Sequence, residues 1–274
     1  MNYAIIAAGE GSRLVQEGVV LPKPLVDLDG RPMIRRLIDI FLSCDAERIS
    51  IIVNEQMTAV REYLESLELP VPLHLVVKST PSSMHSFYEV SRIFENPDDK
   101  FILTTVDTIF REDEFRRYAR AFADDDQADG HMAVTSFIDD EKPLYIDVDA
   151  DGWITAFRDA PFPGVKYISG GVYGLTGRAV TVLEDCMSRG VSRMRNYQRA
   201  LIEAGLRLRA DAFDKIVDVD HAGDIATARA FLLDTVYPEP NEETIAAMNE
   251  AKSGNLEGPI DTLSVKTMLD SMDL

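Results

Sequence analysis

"AAGEGSRLVQEGVVLPKPLVDLDG" (residues 7–30) takes over from the apolar run "YAIIAA" (3–8) and places two glycines, an arginine and Pro-Lys-Pro behind it. A β-branched run of that length reads as a strand. A glycine loop after the first strand of an α/β sheet offers backbone N–H groups to phosphate, and Gly9 and Gly11 permit an approach that side chains would block. Pro22 and Pro24 hold the next stretch extended, because a residue before proline disfavours the helical region. The loop is therefore expected not to pass promptly into a helix. A dinucleotide-binding loop is the weaker reading: Leu14 stands where its third glycine belongs, although Asp27 or Asp29 follows at a suitable distance. A Walker loop is excluded, since no Gly-Lys-Ser/Thr follows at the required spacing. Arg13 brings a planar fork suited to phosphate oxygens, and Lys23 brings a compact charge to the same region.

Outward from this loop, β-branched runs recur at "ISIIVN" (49–54), "LHLVVK" (73–78), "FILTTV" (101–106) and "HMAVTSF" (131–137), with helical patterns near 31–43, 56–67, 84–95 and 112–123. The alternation predicts βαβ units and an α/β fold with a mainly parallel sheet. "LYIDVDADGWITAFRDA" (144–160) carries an Asp-Gly turn between alternating stretches, which predicts an antiparallel hairpin beside that sheet. A strand near 168–175, helices near 176–189 and 193–205, a strand pair at 206–219 and a closing helix at 223–237 complete a domain over 1–237. Pro238 and Pro240 set off an appendage, 238–274, with short helices expected over 242–252 and 261–272.

The chain of 274 residues holds 47 acidic against 28 basic residues, a net charge of -19. That field repels nucleic acid and anionic membrane surfaces, so neither is an expected partner, and an anionic substrate must be held by local cations. Cys44 and Cys186 lack metal-site spacing and read as free thiols in a reducing cytoplasm. The first residues have no basic start and too short an apolar stretch for a signal peptide, and no run approaches a membrane span.

"AAGEGSRL" followed by "LPKPLVDLDGRPMI" resembles the signature of the nucleotidyltransferase superfamily that activates sugar 1-phosphates and related phosphorylated alcohols, with looser similarity to about residue 237. The resemblance implies the nucleotide-diphospho-sugar transferase fold, a Rossmann-like mixed, mainly parallel sheet flanked by helices. It implies nucleotide binding at Ala8, Gly9, Gly11, Ser12 and Arg13, with Arg13 and Lys23 as the catalytic cations. It also implies Mg²⁺, held by Asp107 after the strand "FILTTV" and by a second carboxylate in "KIVDVDHAGDIATAR" (215–229), where Asp218 and Asp220 both fit and their spacing points both to one side of a strand. Asp224 is expected to cap the last helix and His221 to be structural.

Further along, the resemblance is looser. "KSTPSSMHSFYEV" (78–90) occupies the base-reading position, which makes Ser82, Ser83 and His85 nucleotide contacts, although the serines also suit helix capping. "YISGGVYGL" (167–175) resembles the acceptor-lining strand, with Ser169 in place of the usual asparagine; Gly170, Gly171 and Lys166 are the implied acceptor contacts. Arg158 and Asp159 stand where sugar-activating relatives carry Glu-Lys, while "EKP" (141–143) lies on the wrong side of the hairpin. Trp153 is expected to pack the hairpin. The tail segment "PNEETIAAMNEAKSGNLEG" resembles the C-terminal segment of RelB/DinJ-type antitoxins, which implies a protein partner; docking on its own domain or on a neighbouring subunit is the competing expectation, and with it a homo-oligomer. The implied reaction moves a nucleoside monophosphate from a nucleoside triphosphate to a phosphorylated acceptor, by default a sugar 1-phosphate. Alternatives are a cytidylyltransferase for phosphocholine or a polyol phosphate, or a nucleotide sensor without catalysis.

Overall fold

In the computed structural model the alternating runs become β1 (Asn2–Ala7), α1 (Ser12–Gln16), β2 (Asp27–Leu28), β3 (Arg31–Pro32), α2 (Met33–Ser43), β4 (Arg48–Val53), α3 (Thr58–Glu65), β5 (Leu73–Val77), α4 (Ser83–Ser91), β6 (Lys100–Thr105), β7 (Thr108–Ile109), α5 (Glu112–Asp124) and β8 (Gly130–Thr135). The second half follows with β9 (Tyr145–Val148), β10 (Ile154–Arg158), β11 (Tyr167–Thr176), α6 (Gly177–Ser188), α7 (Met194–Glu203), β12 (Leu208–Phe213), β13 (Val217–Asp218) and α8 (Ala222–Leu233). The structure describes residues 1–94, 96–137 and 142–233. Residues Met1–Leu232 form one compact unit. The expectations for the tail, including its helices and the antitoxin-like segment, lie outside the described residues.

β1 is the organising strand. It pairs in parallel with β4 on one side and β6 on the other, and β5 extends the sheet beyond β4. Its period of two splits the core: Tyr3, Ile5 and Ala7 face one apolar cluster, Ala4, Ile6 and Ala8 the other. The first cluster is built with α2, α3, α5 and α8, the second with α4, α6 and α7. The longer helices of the first half supply apolar stripes, as α5 does with Phe115, Tyr118, Ala119 and Phe122 at helical spacing. A strand sandwiched between helix layers is hydrophobic on both faces, which is why β1 reads as an unbroken apolar run.

The far side of the sheet departs from simple alternation. β11 inserts between β6 and β8 and runs antiparallel to both. The predicted hairpin forms as β9 and β10, with β9 joining the sheet against β11. The expected strand pair at 206–219 is corrected: β12 pairs in parallel with β8, whereas β13 pairs with β7 in a separate two-stranded ladder. A second correction concerns the opening loop, which does turn into a helix, but only for the single turn of α1. Lys23–Leu25 then forms a 3-10 turn rather than remaining extended. Trp153, expected to pack the hairpin, meets β12: its ring carries the guanidinium groups of Arg207 at 4.0 Å and Arg209 at 5.0 Å. Cys44 and Cys186 are free thiols. Among the described residues no helix is long and apolar enough to cross a membrane.

Candidate active site

The C-terminal ends of β1, β4 and β6 lie side by side, the edge of a parallel sheet at which ligands collect. From β1 comes the glycine loop. Gly11 has φ 61°, and a Cβ there would stand 3.0 Å from Lys23 Cβ, so only glycine lets the lysine stem pass beneath the loop. The flanking prolines set the course of Lys23, which is 9% exposed. Its ammonium lies between two carboxylates: it contacts Asp107 directly and reaches Asp220 Oδ1 at 2.7 Å. Arg13 Nη1 pairs with the other oxygen of Asp220 at 3.2 Å.

One short ladder brings these groups together across more than a hundred residues. β7 follows Asp107 and pairs antiparallel with β13, Asp218 opposite Thr108. The Val219 N–H then donates to the Asp107 carbonyl at 3.1 Å, which brings the following Asp220 to the lysine. The Asp224 carboxylate accepts from the N–H groups of Asp220 and His221, so it caps the turn as expected. Burial disfavours the charge on Lys23, but Asp107 and Asp220 outweigh it and raise its pKa above the usual lysine value. Burial likewise works against ionised Asp220, and Lys23 and Arg13 overcome it to hold the carboxyl low. Glu17, just past α1, accepts from the Ala222 N–H at 2.6 Å and lies 2.6 Å from His221 Nδ1, a tie between the glycine loop and the start of α8.

Two cavities open on this cluster. The larger, about 750 Å³, is walled by Ala8, Gly9, Gly11, Ser12, Arg13, Lys23 and Asp107 on one side and by Asn54, Gln56, Ser79, Thr80, Ser82 and Ser83 on the other. The smaller, about 360 Å³, is walled by Lys142, Ser169, Gly170, Arg195, Asp218 and His221 among others. Arg13 and Asp220 belong to both.

Most of the predicted residues therefore converge, with four corrections. His85 does not line the larger cavity; its Nδ1 is 2.8 Å from the hydroxyl of Ser82, the N-cap of α4. Lys166 faces a third cavity with Asp147, Phe162 and Tyr167, because it precedes β11 on the hairpin side. Gly171, at φ 75°, is packed against Thr108 instead of lining the smaller cavity; Gly170 does line it. Asp218 and Asp220 are not placed alike: Asp220 reaches Lys23 and lines both cavities, while Asp218, the last residue of β13, lines the smaller one.

The sequence reading missed Lys142, set aside with "EKP", which lines the smaller cavity; the Arg195 Nη2 donates to its carbonyl at 2.9 Å. It also missed Asn54, whose carbonyl accepts from Gln56 N–H and Ser79 Oγ while its amide reaches the Ala8 carbonyl. The only signal for Asn54 was a polar residue at the end of an apolar strand.

Asp107 and Asp220 fit a divalent cation. Their oxygens already converge on one positive charge, and hard carboxylate oxygens suit Mg²⁺. Among the described residues no group of three or more His, Cys, Asp or Glu is arranged to hold a metal. A two-carboxylate site that leaves the remaining positions to phosphates and water is the arrangement Mg²⁺ takes with nucleotides.

Residues 3–168 match the MobA-like NTP transferase domain. The chain is 26% identical over 165 residues to CMP-5'-(3-aminopropyl)phosphonate synthase of Streptomyces rubellomurinus, an alignment covering 58% of this chain but 24% of that protein. It spans about a quarter of that relative's length. It is 23% identical over 257 residues to UTP–glucose-1-phosphate uridylyltransferase AglF of Haloferax volcanii, covering 91% of this chain and 97% of the relative. Among solved structures, the inositol-1-phosphate CTP transferase from T. maritima has a TM-score of 0.68 at 18% identity, over 84% of this chain and 97% of that one. That likeness shows a shared fold with the same mixed sheet. Since the domain match extends over more than half of the chain, from the start of β1 into β11, the chain belongs to the MobA-like NTP transferase family.

Proposed function

We propose that this chain is a Mg²⁺-dependent nucleotidyltransferase that moves a nucleoside monophosphate from a nucleoside triphosphate to a small phosphorylated acceptor and releases pyrophosphate. The observation that carries the reading is the meeting of two cavities at Arg13 and Asp220. Transfer between two ligands needs two pockets that open on one reacting centre, and here that centre has cations aimed at it. The larger cavity takes the triphosphate, its phosphates on the glycine-loop amides, Arg13 and Lys23 and its base against the polar wall from Asn54 to Ser83. The smaller cavity takes the acceptor, with Lys142 and Arg195 on its wall.

In the reaction an acceptor phosphate oxygen attacks the α-phosphorus in line. The new O–P bond forms as the bond to the bridging oxygen breaks, and pyrophosphate leaves with that electron pair. The attacking oxygen is already anionic, so no protein base is needed. Arg13 and Lys23 neutralise charge that grows on the transferring group, which is where preorganised donors have most effect. Mg²⁺ held by Asp107 and Asp220 would supply further charge neutralisation of the triphosphate.

A sugar 1-phosphate is the first acceptor proposed, in keeping with the glucose-1-phosphate relative that aligns along nearly its full length. A second reading, CTP with an amine-bearing phosphonate or a polyol phosphate, draws on the Asp218 carboxylate in the acceptor cavity and on the cytidylyl-type relatives. The test is pyrophosphate release with Mg²⁺ across four nucleoside triphosphates and a panel of sugar 1-phosphates, polyol phosphates, phosphocholine and aminoalkylphosphonates. One productive pair that disappears in Asp107→Ala supports the reading and names both substrates. Silence across the panel, with a triphosphate still bound in calorimetry, replaces it with a nucleotide sensor.

A further inference from the structure

Lys23 occupies the place that a divalent cation would take. Its ammonium touches Asp107, lies 2.7 Å from Asp220, and is 9% exposed. Arg13 takes the second Asp220 oxygen. These four side chains set two cations against two carboxylates and their formal charges cancel, although the whole chain stands at -19. A bare metal ion gains little from a neutral cluster and must first displace an ammonium held in a partly desolvated site, where ion pairs are strong. A triphosphate changes that balance, since it offers the lysine a new set of anionic oxygens as the metal takes the carboxylates.

We infer that Lys23 is an internal stand-in cation: it holds Asp107 and Asp220 together before substrate arrives, competes with free divalent metal for them, and passes to the phosphates only when metal and triphosphate enter together. This rests on the reading of Asp107 and Asp220 as the metal-holding pair. It adds an order of events. Metal alone binds poorly, and the metal–nucleotide complex binds well.

The test uses Mn²⁺ as the probe, with binding to the full chain read by electron paramagnetic resonance in the absence of nucleotide. Lys23→Met is expected to bind one Mn²⁺ roughly tenfold or more tightly than the unaltered chain, through loss of the competing charge. Lys23→Met/Asp107→Asn is expected to lose that gain, which separates the site from adventitious binding on an acidic surface. Equal Mn²⁺ affinity in the Lys23→Met and unaltered chains would overturn the inference. A second measurement covers a variant that fails to fold: the ¹⁵N ammonium resonance of Lys23 in the unaltered chain. It should stay in place on titration with Mg²⁺ alone and move when Mg²⁺ and a non-hydrolysable triphosphate are added together. A shift with Mg²⁺ alone at sub-millimolar levels would also overturn it. Neither readout needs turnover, so a silent substrate panel with the expected Mn²⁺ result removes the enzymatic reading and leaves this one standing.

Discussion

Lys23 stays charged in a nearly closed site because two prolines fix its backbone and two carboxylates meet its ammonium. On the proposed reaction, Lys23→Ala removes a positioned donor at the transferring phosphorus, and kcat should fall about 10²–10³-fold, the usual cost of one preorganised donor. Steady-state kinetics on the productive substrate pair checks this, and a variant within threefold of the parent would remove Lys23 from catalysis. Gly170 makes a different kind of prediction. A Cβ there would lie 2.2 Å from Ile216 Cδ1 and 3.2 Å from the Ala133 carbonyl. Gly170→Ala should therefore destabilise the fold by about 1–3 kcal/mol, as overpacking does, and raise the acceptor KM more than the nucleotide KM. Chemical denaturation and a KM comparison measure both effects. At this scale, Arg13 and Lys23 stood out because each sits in a short motif, whereas Asp107 was singled out only through the family resemblance. The different placement of Asp218 and Asp220 was not legible, because it depends on β13 ending after two residues. Lys142 was lost because Ser169 and Arg195, with which it lines the cavity, lie far from it in sequence.

Glu17 shows what elements add to residues, since it ties the end of α1 to the start of α8 across 205 positions. His221 hydrogen-bonds to it and holds its carboxyl below the usual range. Removing it by Glu17→Ala should speed amide exchange in residues 9–18 and 220–224 without changing that of β1, and Glu17→Gln should restore protection because it still accepts from Ala222 N–H. Exchange mass spectrometry reads both, and unchanged protection in Glu17→Ala would refute the tie. The turn between α5 and β8 carries a pH effect. Burial opposes the charge on Asp125, but the amides of Gln127 and Ala128 and the His131 ring outweigh it and lower its pKa. The charged and titratable neighbours are Arg209 near Asp125, Asp211 on the far side of His131, and Lys100 on the backbone of the turn. A lowered folded pKa means stability that is present above the unfolded carboxyl value, about 3.9, and lost as pH falls through the folded one. Asp125→Asn should flatten the loss of Tm in that acid window and lower Tm at neutral pH; parallel acid profiles would exclude the contribution. Periodicity disclosed the longer strands and helices, but not the short α1, β2, β3 and β7, nor the entry of β11 between β6 and β8, because an antiparallel insertion leaves no mark on the pattern of one strand.

At the scale of the whole chain, a formal charge of -19 is set against a cluster of four side chains whose formal charges cancel. Composition made the long-range part legible from the start, whereas the local balance required Asp107 and Asp220 to be brought to one lysine. The two have different ranges, and this gives a kinetic prediction. At about 10 mM ionic strength the screening length is roughly 30 Å, so an approaching triphosphate feels the repulsion of the whole acidic surface; at about 0.15 M it is roughly 8 Å, and mainly the site itself is felt. The contacts of the buried Lys23 ammonium are screened much less. The association rate of a metal–nucleotide complex should therefore rise as salt is added over this interval, while its dissociation rate changes little. That is the reverse of electrostatically steered binding to a cationic surface. Stopped-flow measurement with a fluorescent triphosphate analogue at fixed free Mg²⁺ decides the matter. An association rate that falls with salt would mean that Arg13, Lys23, Lys142 and Arg195 project an attractive field beyond the cavity mouth, and that the acidic surface does not govern approach.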